Sequence, residues 1–246
     1  MKKVFVIAKR NTLEMFRAPF SLILCVIFPL LMLCLMQFLC QNIPVVPDNF
    51  LIKNYASGIC VFGYTFISLN IALQISTDKN TSFIKRLNIS PIHRTDYIFS
   101  FYISSAPMVA LQTVLFFAVA LLFGFPFNVN LLLSLIYLIP SAILYITFGI
   151  FIGIVSKNEK VTGPISSILV SCIGIFGGIF TPASTFTGTF GKVINQLPFV
   201  HSVQIASELQ SVGPACIYPH ILFVAFYTAV ILGLTILIDN IVSNHR

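Results

Sequence analysis

The sequence predicts an all-α polytopic membrane protein with six transmembrane helices, an N-terminal interfacial helix, and re-entrant outer helices between spans five and six. Three observations carry that expectation. Of the 246 residues, 57% are hydrophobic and only 9% charged, far below the quarter that soluble domains carry. Six apolar stretches reach the roughly 20 residues a helix needs to cross about 30 Å of hydrocarbon. Twelve of the 14 Lys and Arg fall in the two termini and in every second loop, which is how cytoplasmic flanks are marked.

Residues 1–18 hold Lys2, Lys3, Lys9, Arg10 and Arg17 and are too charged to span. Val4, Ile7, Ala8 and Leu13 fall toward one side of a helix, with Lys3, Lys9 and Arg10 largely elsewhere. That pattern suits a helix lying along the inner interface. No small-residue cleavage site follows, and the next apolar run is full length, so a retained span is expected in place of a signal peptide. The six spans are expected at about 20–40, 55–76, 97–123, 131–155, 162–180 and 217–238, with both termini on the cytoplasmic side. Lys53 and Lys192 alone mark the other side. A net charge of +7 would suggest nucleic acid in a soluble chain; here it records orientation, and no nucleic-acid partner is expected.

Pro29, Pro107 and Pro140 lie inside spans one, three and four, where each removes a backbone donor and should bend its helix. Gly149 and Gly153 in span four, and Gly174 and Gly178 in span five, stand at the spacing that lets helices approach closely. The six cysteines, Cys25, Cys34, Cys40, Cys60, Cys172 and Cys216, show no metal-binding spacing and read as small apolar residues. No metal is expected.

Chemistry at membrane depth would need ionisable groups, which cost about 2.5–3.5 kcal/mol each in a span centre. None stands there. The polarity present is neutral: Gln37, Gln112, and the pair Asn70 and Gln74 on one face of span two. Two readings stay open for Asn70, Gln74 and Gln112. They hydrogen-bond neighbouring helices, or they line a substrate path. There is no HExxH, no GxSxG, and GTFGKV (188–193) has Phe186 and Val193 where a phosphate loop needs glycine and a hydroxyl. No catalytic residue is expected, and the chain is not expected to be an enzyme.

The charge that remains inside the chain is concentrated in residues 77–96. DKNTSFIKRLNISPIHRTD holds six of the 21 charged residues, and its surroundings are apolar. Phe83, Ile84, Leu87 and Ile89 offer an apolar contact, and Lys85, Arg86 and Arg94 offer charge to an acidic partner. A second unusual stretch, 177–209, is semi-apolar and broken by Pro182, Gly188, Gly191 and Pro198. Two short helices dipping back into the membrane would explain it, as would a folded external loop.

These features together resemble ABC-2-type permeases, the membrane subunits of type V ABC exporters, over essentially the whole chain. Asp78 stands at the acidic position of the family's first cytoplasmic loop, followed by Arg86, Leu87 and Pro91. Ser82 and Phe83 replace its Gly-Thr pair. Gly177, Gly178, Pro182 and Pro198 match the pattern before the last span, with Thr187 in place of a proline and His201 where Tyr is frequent. The resemblance implies one ABC-2-type transmembrane domain over 1–246 in a bacterial cytoplasmic membrane. It implies ATPase coupling through Asp78, Ser82, Phe83, Ile84, Lys85, Arg86, Leu87 and Pro91, and an outer gate at Gly177, Gly178, Pro182, Pro198 and His201. The implied partners are two copies of a cytoplasmic ABC ATPase, a second permease chain (identical or closely related) and membrane lipid. ATP and Mg would be bound by the ATPase, with no cofactor in this chain. Export is implied, and the 25 Phe suit an amphipathic or hydrophobic substrate, a peptide toxin or bacteriocin first and a drug second. The competing expectation is a membrane immunity protein that sequesters a toxin without an ATPase.

Overall fold

The computed structural model describes residues 2–44, 46, 50–81, 83, 92–181, 185–211 and 214–244. Among them every regular element is helical. Helix α1 (Lys2–Arg17) is followed by α2 (Pro19–Gln41), α3 (Ile52–Asn80), α4 (Arg94–Leu122), the pair α5 (Val129–Tyr137) and α6 (Ile139–Val155), and α7 (Glu159–Phe176). Two shorter helices, α8 (Gly188–Ile194) and α9 (Pro198–Ser211), precede α10 (Tyr218–Asn244). Among the described residues, six segments are long and apolar enough to span: α2, α3, α4, α5 with α6, α7 and α10.

Helix starts follow local chemistry. Asn128 and Asn158 cap α5 and α7, each side chain accepting from the backbone N–H three residues on, Leu131 and Val161, at 3.1 Å. This satisfies a donor that the helix itself cannot. Span five ends at Phe176, earlier than the expected 180, because Gly177 and Gly178 close it. The Gly177 N–H reaches Ile173 O at 2.8 Å, and Gly178 adopts φ 83°, a left-handed conformation that stops helices. Gly174 and Gly178 are therefore not a helical pair. Gly174 lies against the rings of Phe62 and Phe180.

The prolines interrupt their spans in different ways. Pro29 follows a π-helical stretch, Ile23–Ile27, a wider turn that absorbs an unmade backbone bond. Pro140 sits in the first turn of α6, and span four divides at Leu138. Pro107 is carried within α4, and α7 carries Pro164 as well.

Helix α3 is the hub, and it is flanked by α2, α4, α6, α7 and α9. Fully 83% of its most apolar stretch is buried, against 11% for α10, so α3 is central and α10 peripheral. A helix without a polar face must be covered on all sides, and Tyr55–Ser68 form an unbroken buried run. Its closest neighbour is α6. A Cβ on Gly149 would stand 2.5 Å from Ser68 O, and one on Gly153 2.8 Å from Ile75 Cβ. Only glycine at both positions allows the backbones this near.

Helix α1 lies along α4, with Ile7, Ala8, Asn11 and Met15 buried. Ile7 and Ala8 are buried as the sequence pattern expects and Val4 is half-buried, but the rest of the face differs. Leu13 is 42% exposed, and Arg10 turns partly inward because a carboxylate waits there. All six cysteines are free thiols.

Candidate functional site

The site is built at the end of α3 that leads into the charged loop. Asp78, in the last turn of α3, is 2% exposed. A carboxylate there opposes the negative end of the helix dipole and needs donors. Arg10 of α1 supplies two, Nη2 to Oδ1 at 2.7 Å and Nη1 to Oδ2 at 3.0 Å. Tyr97 of α4 donates its hydroxyl to Oδ2 at 3.0 Å. The forked pairing is the strong, directional form of an arginine–carboxylate contact. Burial opposes the charge on Arg10, but the hydrogen bond and charge of Asp78, with help from Glu14, prevail and hold its pKa above the ordinary value.

Phe83 closes the cluster from the loop side. The Arg10 guanidinium lies 3.9 Å above its ring centroid, close enough for cation–π attraction. The Phe83 and Tyr97 rings are 6.3 Å apart, and Tyr97 meets Phe101 edge-on at 5.1 Å. Thus one residue of the charged loop touches a cation of α1 and an aromatic of α4 together.

Further polar ties converge on the same end of α3. Gln74 donates to Glu14 Oε2 at 2.8 Å and to Asn11 O at 3.4 Å, and Asn70 donates to the Ser21 hydroxyl. Buried Asn11 donates to Ser100 Oγ at 3.4 Å. Lys79 donates to the carbonyls of Ile154 and, at 3.1 Å, Ser156, placing a cation at the C-terminus of α6 where the dipole favours it. Thr162 of α7 donates to Ser76 Oγ at 2.9 Å. The last turns of α3 are therefore fastened to α1, α4, α6 and α7.

Of the residues singled out in the loop, the structure brings Asp78 and Phe83 together. Ser82, Ile84, Lys85, Arg86, Leu87 and Pro91 lie outside the described residues. Asn70 and Gln74 bind α1 and the start of α2. Gln112 is fully buried and is not grouped with them. Its amide nitrogen fills the space that a Cβ on Gly63 would occupy, beside Pro29. Neither of its polar atoms finds a partner among the described residues. Replacing an unpaired buried amide by an apolar group of similar size removes a cost of about 1–3 kcal/mol. Gln112→Leu is accordingly expected to raise thermal stability in detergent without loss of transport. Lost transport at unchanged stability would put Gln112 on the substrate path.

At the opposite end of the fold, Gly178 lines a cavity of about 290 Å³ with Asn54, Tyr55, Gly58, Val203 and Ser207. Pro198 opens α9, His201 lies one turn in, and Pro182 is outside the described residues. Between α2, α3 and α7 runs an aromatic groove of about 400 Å³. Phe28 and Phe66 are 5.0 Å apart, Phe66 and Phe62 5.3 Å, and Phe62 and Phe180 5.4 Å.

Sequence reasoning missed Arg10 and Tyr97. The available signal was Glu14 one turn beyond Arg10, which it binds at 2.6 Å, on a helix whose other side is apolar.

The sequence pattern of the ABC-2 type transporter family matches residues 2–210. The chain belongs to the ABC-2 type transporter family. Among its relatives is ycf38 of Cyanophora paradoxa, described as a transport permease, 31% identical over 161 residues. That match covers 63% of this chain and 55% of the relative, so the aligned part spans about half the length of the curated protein. The ABC-2 match takes in α1 through nearly all of α9, and with them both the Asp78 cluster and the stretch around Gly178.

Proposed function

We propose that this ABC-2 chain is the transmembrane permease subunit of an ATP-driven exporter, powered by a separate cytoplasmic ATPase. The Asp78 cluster is the observation that carries the reading. It joins Phe83 of the charged loop to α1 and α4, and it stands beside ties to α6 and α7. Such a junction is what a loop pushed by another protein requires. In this reading residues 77–96 dock on the ATPase, two ATPase copies serve two permease chains, and both termini face the cytoplasm of a bacterial cell. ATP and Mg belong to the ATPase.

The aromatic groove supports an amphipathic or hydrophobic cargo. Its ring faces accept apolar and cationic surface alike, and Ser171 is a polar contact among its apolar neighbours. A hydrophobic peptide toxin or bacteriocin is the first substrate class, and a drug-like amphiphile the second. The groove leads toward Phe180 and the Gly178 turn, where α8 and α9 form the outer gate as re-entrant helices.

Co-purification with an ABC ATPase encoded beside this chain, followed by ATP hydrolysis in lipid, tests the proposal. A stable complex is expected, stimulated by the transported amphiphile. Phe83→Ala and charge reversal of Arg86 are expected to weaken ATPase retention by tenfold or more, equivalent to about 1.4 kcal/mol, while membrane insertion is unchanged. A chain that binds a toxin and protects cells with no ATPase present would instead be an immunity-type binder.

A further inference from the structure

At the outer end, α9 and α10 are joined by two imidazoles and a carboxylate. His201 Nδ1 and His220 Nδ1 are 2.8 Å apart, and His220 Nε2 lies 3.2 Å from Glu208 Oε2. His201 also stacks on Phe223, with centroids 4.5 Å apart and planes at 16°. His201 is 8% exposed.

With both imidazoles neutral, the contacts set where the protons sit. An ionised carboxylate only accepts, so His220 carries its proton on Nε2 and presents a bare Nδ1. His201 must then donate from Nδ1, which leaves its own Nε2 bare. That nitrogen is buried and without a partner among the described residues, a tolerable state for a lone pair. One added proton changes this. Placed on His201 Nε2, it makes a buried N–H that has neighbouring Gln204 but no hydrogen bond formed to it. Placed on His220 Nδ1, it forces His201 to accept at Nδ1 and move its own proton to Nε2, with the same result. Either way the closed arrangement gains an unsatisfied buried donor, which costs free energy. The nearest remedy is Gln204, one turn along α9, whose Oε1 also lacks a partner among the described residues. Turning the imidazole toward Gln204 would satisfy the new N–H, and it loosens the ring's contacts with His220 and Phe223.

We propose that His201, His220 and Glu208 form a proton-sensitive latch that holds α9 against α10 and releases the outer gate when the exterior is acidic. The inference rests on the permease reading and adds its regulation. Burial first, and His220 second, lower the His201 pKa, while Gln204 opposes them. A group whose pKa is depressed in the closed state loses closed-state stability as pH falls through the ordinary imidazole value, about 6.5. At this end of the fold, the other ionisable side chains on the elements packed against α9 are Lys53 and Tyr55 of α3, Tyr137 of α5, Tyr145 of α6, Cys172 of α7, Cys216 before α10, and Tyr218 and Tyr227 of α10. None of them acts on His201, whose surroundings are set by burial, His220 and Gln204.

The chain has no Trp, so Phe223→Trp supplies a single reporter stacked on His201. In the intact transporter reconstituted in vesicles, indole emission and transport rate are measured together while the outer pH falls from about 7.5 to 5.5, around the ordinary imidazole pKa. Emission is expected to change in one step, and transport to rise severalfold with the same midpoint. Gln204→Glu should move both midpoints up and Gln204→Leu both down, each by about one pH unit, a tenfold change in proton affinity. A purely structural role for the pair would leave the midpoint fixed. A titrating reporter with a flat transport profile would overturn the latch and leave the permease standing. Reporter emission that stays flat across the range, in a complex that transports, would also overturn it. Absence of transport at every pH, with the ATPase bound, would instead count against the permease reading.

Discussion

Arg10→Ala is expected to uncouple transport from ATP hydrolysis while all six spans remain inserted. The substitution strips the buried Asp78 carboxylate of two donors and leaves Tyr97. Removing one partner of a buried ion pair costs about 3–5 kcal/mol. The Arg10 side chain is 32% exposed, and solvent screening brings the expectation to the lower end of that range. Because the loss falls on the junction between loop and helices, substrate-stimulated turnover should drop by at least tenfold. Arg10→Lys should recover only part, since an ammonium keeps the charge but neither the fork nor the planar cover over Phe83. Exchanging the pair, Arg10→Asp with Asp78→Arg, should recover more than either change alone if the contact itself matters. Undiminished coupled turnover in Arg10→Ala would remove the cluster from the mechanism.

Gly149→Leu is expected to prevent assembly of the native helix packing altogether. Even a methyl group at this position would lie 2.5 Å from Ser68 O and 2.9 Å from Ser68 Cα. These are backbone atoms in the middle of a buried helix, so they cannot swing aside as a side-chain tip would. Gly149→Ala should cost about 1–3 kcal/mol through overpacking, and Gly153→Ala, pressing on Ile75, a similar amount. By contrast Gly233, with no atom within 4 Å of its added Cβ, should accept alanine with little change. Thermal stability of the solubilised chain measures all three, and equal tolerance at positions 149 and 233 would contradict the packing described.

The fold was legible in the sequence because its signals are one-dimensional. Span length, loop charge and capping residues such as Asn128 and Asn158 act within a few residues of themselves. Even the small-residue spacing at Gly149 and Gly153 pointed to a close helix contact, although its partner α3 was not specified. The site was legible only in part. Arg10 and Asp78 are 68 positions apart, and no local rule pairs them. The sequence pattern set Arg10 with the outward cations of α1, and only the packing of α1 on α4 turns it toward the carboxylate. His201 and His220 are separated by most of a helix and a connection, so no metal-like spacing announced them. Asn70 and Gln74 were visible as polar residues on one face, but which surface faced them depended on where α1 came to rest.

The position of α3 at the centre has a consequence for biogenesis. Its mean hydropathy over the best stretch is 1.6, against 2.7 for both α2 and α10, so the helix that protein will cover on all sides is a weaker candidate for lipid on its own. Its partner surface on α6 is synthesised about eighty residues later, Gly149 meeting Ser68 and Gly153 meeting Ile75. Until Gly149 and Gly153 leave the ribosome, the groove that receives α6 has only lipid or the insertion machinery to fill it. Span two should therefore linger beside the translocon, and its release should wait for span four.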